Sequence, residues 1–254
     1  MSLSSDRVGC WGRVKAGIML GQSAAEAAVT GHSRTLNGFI SRYETGLLKS
    51  IAQALPQRVT PDHLTLLGIG GALIAAAALI ASRLDVAFLW IAVFGLSLNW
   101  VGDSLDGTLA RLRRIERPRY GFFVDHLTDL ASQFLIVAGL GLSSYMRIEF
   151  AMLALLGYLS LSVYTLIKLH VSRNMQITYF GVGPTEIRVL IGAGLILAAT
   201  TELPEFSSPI GVLSIFDITA VMITLFAFAC ICFMSLRDGR HLAVVDPARP
   251  LRNQ

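Results

Sequence analysis

Residues 102–129 read GDSLDGTLARLRRIERPRYGFFVDHLTD, and their spacing indicates two helices that meet at an acidic site. Asp103 and Asp106 are three residues apart, so they lie on one face of a helix. Asp125 and Asp129 are four apart and share a face in the same way. A short basic loop separates the two pairs, and helices joined by a short loop are commonly antiparallel neighbours. We therefore expect the four carboxylates to converge.

The segments that flank this stretch are strongly apolar. Hydrophobic residues make up 54% of the 254-residue chain and charged residues only 15%, whereas a soluble domain carries about 25% charged residues. Six apolar segments have the length expected of membrane-spanning helices. They cover residues 64–82, 86–102, 130–146, 150–167, 185–201 and 210–236. The sequence thus predicts an all-α integral membrane protein with six transmembrane helices.

The basic residues in the short connections predict the orientation of these helices. Five arginines lie between the second and third segments, whereas the loops expected on the opposite side contain only Arg83 and Arg147. Because cytoplasmic loops carry the excess of Lys and Arg, we expect both termini and the acidic site on the cytoplasmic side. The net charge of +4 does not indicate nucleic-acid binding, because the basic residues are scattered through loops and tails.

The segment that precedes the first apolar helix has a different pattern. Between residues 36 and 56, apolar side chains recur every three or four residues with charged residues between them, which is typical of an amphipathic helix. We expect this helix to lie in the membrane interface. Residues 1–35 are predicted to form a mobile tail, residues 57–236 the membrane domain, and residues 237–254 a cytoplasmic tail.

The acidic cluster predicts a metal site. Four carboxylates that converge at a membrane boundary repel one another unless a cation lies between them. Carboxylate oxygens suit Mg²⁺ or Mn²⁺, and two such ions could hold a diphosphate and stabilise a displacement at phosphorus. Gly107 and Ala110 leave room for a ligand beside the helix, and Arg111 could bind phosphate oxygens. Acids at helix ends are often merely solvated or paired with arginines, but ionisable groups within membrane spans are usually functional.

Eight residues of this stretch form one spaced pattern, Asp103-x-x-Asp106-Gly107-x-x-Ala110-Arg111, nine residues, then Gly121-x-x-x-Asp125-x-x-x-Asp129. The pattern resembles the signature of the CDP-alcohol phosphatidyltransferase family. Residues 60–65, which read TPDHLT, are also similar to the family, although members often have Asn at the position of Asp62. The resemblance covers roughly residues 36–236.

The resemblance implies an enzyme that transfers a substituted phosphate from a CDP-linked donor to an alcohol acceptor and releases CMP. It implies four ligands for two divalent ions, Mg²⁺ or Mn²⁺: Asp103, Asp106, Asp125 and Asp129. Asp129 would also be the catalytic base that accepts the proton of the acceptor hydroxyl. Five residues would bind the CDP group: Asp106, Gly107, Ala110, Arg111 and Gly121. Members of the family are typically homodimers in membrane lipid.

Several alternatives remain open at this point. Glu186 and Arg188 could contact the donor or acceptor head group, or they could cap a helix and form an ordinary ion pair. The favoured donor is CDP-diacylglycerol, and the alternative is a CDP-amino-alcohol with diacylglycerol as acceptor, because Asp125-His126 faintly resembles the choline and ethanolamine branch. A cation transporter and a membrane scaffold are the alternatives outside the enzyme class, and no internal repeat favours a transporter.

Overall fold

The computed structural model describes residues 41–172, 183–209 and 211–247, which form seven helices and a two-stranded hairpin. The helices are α1 (Ser41–Ala54), α2 (Pro61–Ala81), α3 (Phe88–Arg113), α4 (Pro118–Gly141), α5 (Ile148–Ser172), α6 (Pro184–Thr200) and α7 (Ile215–Val245). Among these residues, five helices are long and apolar enough to cross a membrane, namely α2, α3, α4, α5 and α7. The predicted class of an all-α, multi-pass membrane protein is confirmed.

The start of α7 differs from the prediction. The last apolar segment was expected from residue 210, but strands β1 (Glu205–Ser208) and β2 (Gly211–Ser214) form an antiparallel hairpin there and α7 begins at Ile215. Ser214 and Asp217 cap the helix reciprocally through their side chains and backbone amides. The buried Asp217 also accepts a 2.9 Å hydrogen bond from the backbone amide of Arg147. This aspartate therefore ties the hairpin to the turn between α4 and α5.

Helices α2 and α3 approach closely because glycines lie at their contact. A Cβ atom at Gly95 would lie 2.5 Å from the backbone nitrogen of Ala75, and Gly102 has as little room. Nδ2 of the buried Asn99 donates to the carbonyl of Gly68 over 3.0 Å. Small residues and interhelical hydrogen bonds are the usual basis of helix association in lipid. The contact fixes the end of α3 that carries the first acid pair.

Helix α1 is the described part of the amphipathic helix predicted at residues 36–56. Its Leu48 and Ala52 are buried in a cluster with Leu105 of α3. At the end of α3, the guanidinium of Arg113 donates to four backbone carbonyls of the linker that follows α1, at residues 55, 56, 57 and 59. These bonds supply a donor to backbone carbonyls of the linker, which lie outside any helix. They hold α1, α2 and α3 together.

The two predicted tails have different outcomes. Residues 1–35 lie outside the described residues. The tail predicted from residue 237 is helical as far as Val245, because α7 continues past its apolar part. Asp238 supports this extension, since its Oδ2 lies 2.7 Å from Lys168 Nζ and accepts a 2.7 Å hydrogen bond from Tyr164 of α5. The loss of hydropathy marked the end of the apolar segment, not the end of the helix.

Candidate active site

Three of the four predicted acids converge. Asp103 comes from α3, and Asp125 and Asp129 come from successive turns of α4. One carboxylate oxygen of each lies within 4.8 Å of those of the other two, and all three side chains are partly buried. Hard oxygen donors at such separations fit Mg²⁺ or Mn²⁺. The cluster could therefore bind a divalent metal ion.

Arg188 of α6 contacts this cluster directly. Its Nη1 lies 2.6 Å from Oδ2 of Asp103, and its Nη2 lies 3.1 Å from Oδ1 of Asp129. The Arg188 side chain is only 10% exposed. One guanidinium balances one of three neighbouring carboxylates, so the cluster keeps an excess of negative charge that favours a cation. Sequence reasoning singled out Arg188, but did not predict that it bridges two of the acids.

Asp106 lies apart from the other three acids. Its Oδ2 accepts a 2.6 Å hydrogen bond from the hydroxyl of Thr65 in α2, and its Oδ1 accepts one of 2.5 Å from the backbone amide of Gly107. Thr65 was not identified as a site residue from the sequence. Its place in the TPDHLT segment at the start of the first span was the available signal. The Thr65 hydroxyl fixes the orientation of the Asp106 carboxylate.

A polar cavity of about 460 Å³ opens beside the acids. Its lining includes all five residues expected to bind CDP: Asp106, Gly107, Ala110, Arg111 and Gly121. Asp125 also lines it, so the cavity reaches the three-acid cluster. A Cβ atom at Gly121 would meet nothing within 4 Å. The missing side chain at Gly121 therefore leaves room for a ligand rather than for a neighbouring helix.

The outer wall of this polar cavity contains an ion pair that sequence reasoning did not predict. The guanidinium of Arg117 donates to Asp62 and lies 4.0 Å above the centre of the Tyr120 ring. The hydrogen bond to Asp62 raises the pKa of Arg117 above its usual value. Exposed ion pairs contribute little stability. These residues matter here because they line the cavity, not because they hold the fold.

Glu186 and His126 bond mainly within their own helices, although His126 Nδ1 also lies 3.8 Å from Oδ2 of Asp125 in the three-acid cluster. Oε2 of Glu186 accepts a 2.9 Å hydrogen bond from the backbone amide of Gly183, so it caps the helix that carries Arg188. The His126 ring stacks on Phe122 with 4.1 Å between the ring centres, and its Nδ1 lies 2.9 Å from the Phe122 carbonyl oxygen. Both side chains support the local structure of their own helices.

The two acid pairs and the polar cavity lie within a region that matches a known protein family. The model of the CDP-alcohol phosphatidyltransferase family matches residues 58–233, a range that includes both acid pairs and the lining of the polar cavity. The chain belongs to the CDP-alcohol phosphatidyltransferase family. It is an enzyme of this family, whose members use a CDP-linked donor and an alcohol acceptor. Comparison with curated proteins finds no match.

Proposed function

We propose that this CDP-alcohol phosphatidyltransferase transfers the phosphatidyl group of CDP-diacylglycerol to an alcohol, releases CMP and requires Mg²⁺ or Mn²⁺. The observation that carries the proposal is the convergence of Asp103, Asp125 and Asp129 beside a cavity lined by the predicted CDP contacts. The alternative, a CDP-amino-alcohol donor with diacylglycerol as acceptor, would use the same cluster and the same cavity.

The residues around the polar cavity have different proposed roles in binding the donor. Arg111 presents a guanidinium that binds phosphate oxygens, and Gly107, Ala110 and Gly121 leave space for the nucleotide. Asp106, oriented by Thr65, lies at the same wall. We propose that the diphosphate of the donor, bound by these residues, reaches the three-acid cluster at Asp125, which lines the same cavity.

The four aspartates are proposed to bind metal ions, and one of them is also proposed to accept a proton. Asp103, Asp106, Asp125 and Asp129 are the proposed metal ligands. The bound ions would neutralise the diphosphate and stabilise the charge that develops on CMP as it leaves. Asp129 is the proposed base and accepts the proton of the acceptor hydroxyl, whose oxygen attacks the phosphorus distal to cytidine. Arg188 keeps Asp103 and Asp129 in place, and we propose that it, rather than Glu186, contacts a substrate head group.

The reaction predicts metal-dependent release of CMP. Purified enzyme with Mn²⁺ and CDP-diacylglycerol should release CMP when an alcohol is added, and excess EDTA should abolish this release because the clustered acids then lack their cation. Addition of excess Mg²⁺ or Mn²⁺ should then restore the release of CMP. A parallel assay with CDP-ethanolamine and diacylglycerol distinguishes the two donor types. An undiminished rate in excess EDTA would contradict the metal requirement, and a transporter or scaffold would release no CMP at all.

The membrane arrangement is part of the proposal. At 17 residues, α6 is about 25 Å long, which approaches the hydrocarbon thickness of about 30 Å. We propose that α6 is a sixth span, that α1 lies in the interface, and that both termini and the acidic site are cytoplasmic. We also propose a homodimer, as the family resemblance implies.

Cysteine labelling tests this orientation. In a variant without Cys10, Cys230 and Cys232, a cysteine at the exposed Leu84 should react with an impermeant maleimide added outside intact cells. A cysteine at the exposed Gln57, in the linker between α1 and α2, should react only after the cells are opened. Labelling in the reverse pattern would overturn the orientation.

A further inference from the structure

A second cavity, of about 370 Å³, lies among α3, α4, α5, α6 and α7. Most of its lining is aliphatic, but it includes one polar side chain from each of three helices. These are Asn99 of α3, Gln133 of α4 and Tyr158 of α5, which we call the polar layer. Arg188 of α6 lines the same cavity, and it is the only charged residue among the described residues that do so.

The polar layer lies one helical turn from the acids. Asp103 of α3 meets Asp129 of α4 in the three-acid cluster. Seven residues from each acid, Leu96 and Ile136 pack in one buried hydrophobic cluster. The two helices are therefore antiparallel and in register between these contacts. The members of the polar layer on α3 and α4 lie between them, since each is four residues, or about 6 Å, from the acid on its own helix.

Asn99 contributes an acceptor to the polar layer. The residue is only 2% exposed, and its Nδ2 donates to the carbonyl of Gly68 in α2 over 3.0 Å. This bond distinguishes the nitrogen of the amide from its oxygen. Oδ1 has no hydrogen-bond partner among the described residues. Buried carbonyl oxygens are nearly always hydrogen-bonded, so this atom requires a ligand that donates an O–H or an N–H.

Tyr158 contributes a donor to the polar layer. Its hydroxyl oxygen accepts a 2.9 Å hydrogen bond from Nε2 of Gln133. A hydroxyl has one hydrogen and two lone pairs, so the hydrogen of Tyr158 can still donate to a ligand. Together with Oδ1 of Asn99, the layer offers one donor and one acceptor. A ligand hydroxyl matches both, because it donates and accepts at the same oxygen, whereas an ether oxygen can only accept.

The position of the polar layer favours a hydroxyl of the acceptor over an isolated water molecule. A hydroxyl held there lies about one helical turn from Asp129, the proposed base, so a short carbon chain can join it to the reacting hydroxyl. The cavity is also much larger than the roughly 30 Å³ that one water molecule occupies in the liquid. An ammonium group fits less well, because the charge of Arg188 in the lining is positive.

We propose that the polar layer binds a second hydroxyl of the alcohol acceptor, so that the acceptor is a polyol and not a mono-alcohol or an amino alcohol. This inference rests on the proposed function, and in particular on Asp129 as the base. The second hydroxyl donates to Oδ1 of Asn99 and accepts from the hydroxyl of Tyr158, which Gln133 orients. The first hydroxyl is thereby held at Asp129. Asn99 and Tyr158 determine the specificity for the acceptor and take no part in the transfer itself.

The first experiment compares three alcohols that differ only in the group at the far end: 1,3-propanediol, 3-methoxy-1-propanol and 1-propanol. Release of CMP from CDP-diacylglycerol is measured in Mn²⁺. The value of kcat/KM should be at least tenfold higher for the diol than for 1-propanol, because 1-propanol leaves both polar groups of the site without a partner. The ether should be intermediate. Equal values for the three alcohols, or a preference for 3-amino-1-propanol over the diol, would overturn the inference.

Two variants separate the donor from the acceptor in the polar layer. Tyr158→Phe removes only a hydroxyl and should raise KM about tenfold for the diol and for the ether, while KM for 1-propanol stays within about twofold. Asn99→Leu removes the acceptor and should raise KM for the diol alone. The matched control is Tyr164→Phe on the same helix, because the hydroxyl of Tyr164 donates to Asp238 instead. This control should change none of the three values.

Thermal unfolding and gel filtration of each variant precede the assay, because Asn99 also joins α3 to α2. If Asn99→Leu does not fold, Tyr158→Phe alone decides, since it keeps the ring and the contact between the helices. A structural role of the polar layer, or a bound water only, would lower turnover with all three alcohols alike and would overturn the inference. So would a variant that raised only KM for CDP-diacylglycerol.

A last comparison separates this inference from the proposed function. Metal-dependent release of CMP with dioleoylglycerol as acceptor, but with none of the small alcohols, would overturn the polyol assignment and leave the transferase standing. No metal-dependent release of CMP with any donor and acceptor would contradict the proposed function itself, and the assignment of the acceptor with it.

Discussion

Asp103→Asn is expected to weaken metal-dependent donor binding and turnover together, whereas Asp129→Asn is expected to reduce turnover about 100-fold or more and to change donor binding less. Asp103 contributes one of three convergent carboxylates, so its loss removes charge from the metal site. Asn at position 129 keeps the size of the side chain but cannot accept a proton. Ligation and proton transfer therefore respond differently to the same chemical change.

Calorimetry of CDP-linked donor binding, with and without Mn²⁺, and steady-state rates measure the two effects side by side. Glu202→Gln is the matched control, because it removes an exposed acid outside the site and should change neither quantity. If Asp129→Asn abolished donor binding as completely as Asp103→Asn, Asp129 would be mainly a ligand. The base would then be sought at His126, whose Nδ1 would first have to leave the Phe122 carbonyl.

Arg188→Leu is expected to destabilise the metal-free enzyme strongly and to abolish turnover. The Arg188 side chain is 10% exposed and bridges two partly buried carboxylates. Removing one partner from a buried ion pair costs about 3–5 kcal/mol, because the remaining charge is left without its partner. Mn²⁺ should restore much of the lost stability, since a cation in the cluster replaces the missing positive charge. Arg188→Lys should be intermediate, because an ammonium group cannot bridge two carboxylates as a planar guanidinium does.

Thermal unfolding in detergent, in EDTA and in Mn²⁺, measures this effect. Arg237→Leu is the control, because its ion pair with Asp238 is adjacent in sequence and the arginine is 57% exposed. Such a pair is worth at most about 1 kcal/mol. A loss of stability in Arg188→Leu that Mn²⁺ does not reduce would show that the guanidinium has a packing role and does not balance the charge of the acids.

The helices and the acid cluster could be predicted largely from local patterns. Hydropathy located the membrane segments, and the spacing of four between Asp125 and Asp129 placed both on one face of α4. The start of α4 was predicted less well, because the acids interrupt the apolar pattern that was used to find spans. Pro118 was the better signal, since proline is favoured in the first turn of a helix. The hairpin was missed because its strands have only four residues each.

The contacts that separate Asp106 from the other three acids could not be predicted from spacing alone. A step of three residues turns a helix by about 300°, so Asp103 and Asp106 point about 60° apart. That difference is enough for Asp106 to reach Thr65 of α2 while Asp103 reaches Arg188 of α6. The Arg188 contacts link residues far apart in the chain, and they depend on how α6 packs along α3. Pairings of this kind are set by tertiary packing.

The glycines between α2 and α3 set the distance between the two helices that carry Thr65 and Asp106. Gly95 lies eight residues, or about 12 Å of helix, before Asp103, and it touches no proposed substrate. A single methyl group there would nevertheless force the backbones of α2 and α3 apart. The Thr65 hydroxyl and the Asp106 carboxylate sit on those two backbones, only 2.6 Å from each other. Positions that carry no functional group are thus among the least replaceable in the protein, because they set the spacing at which the functional groups meet.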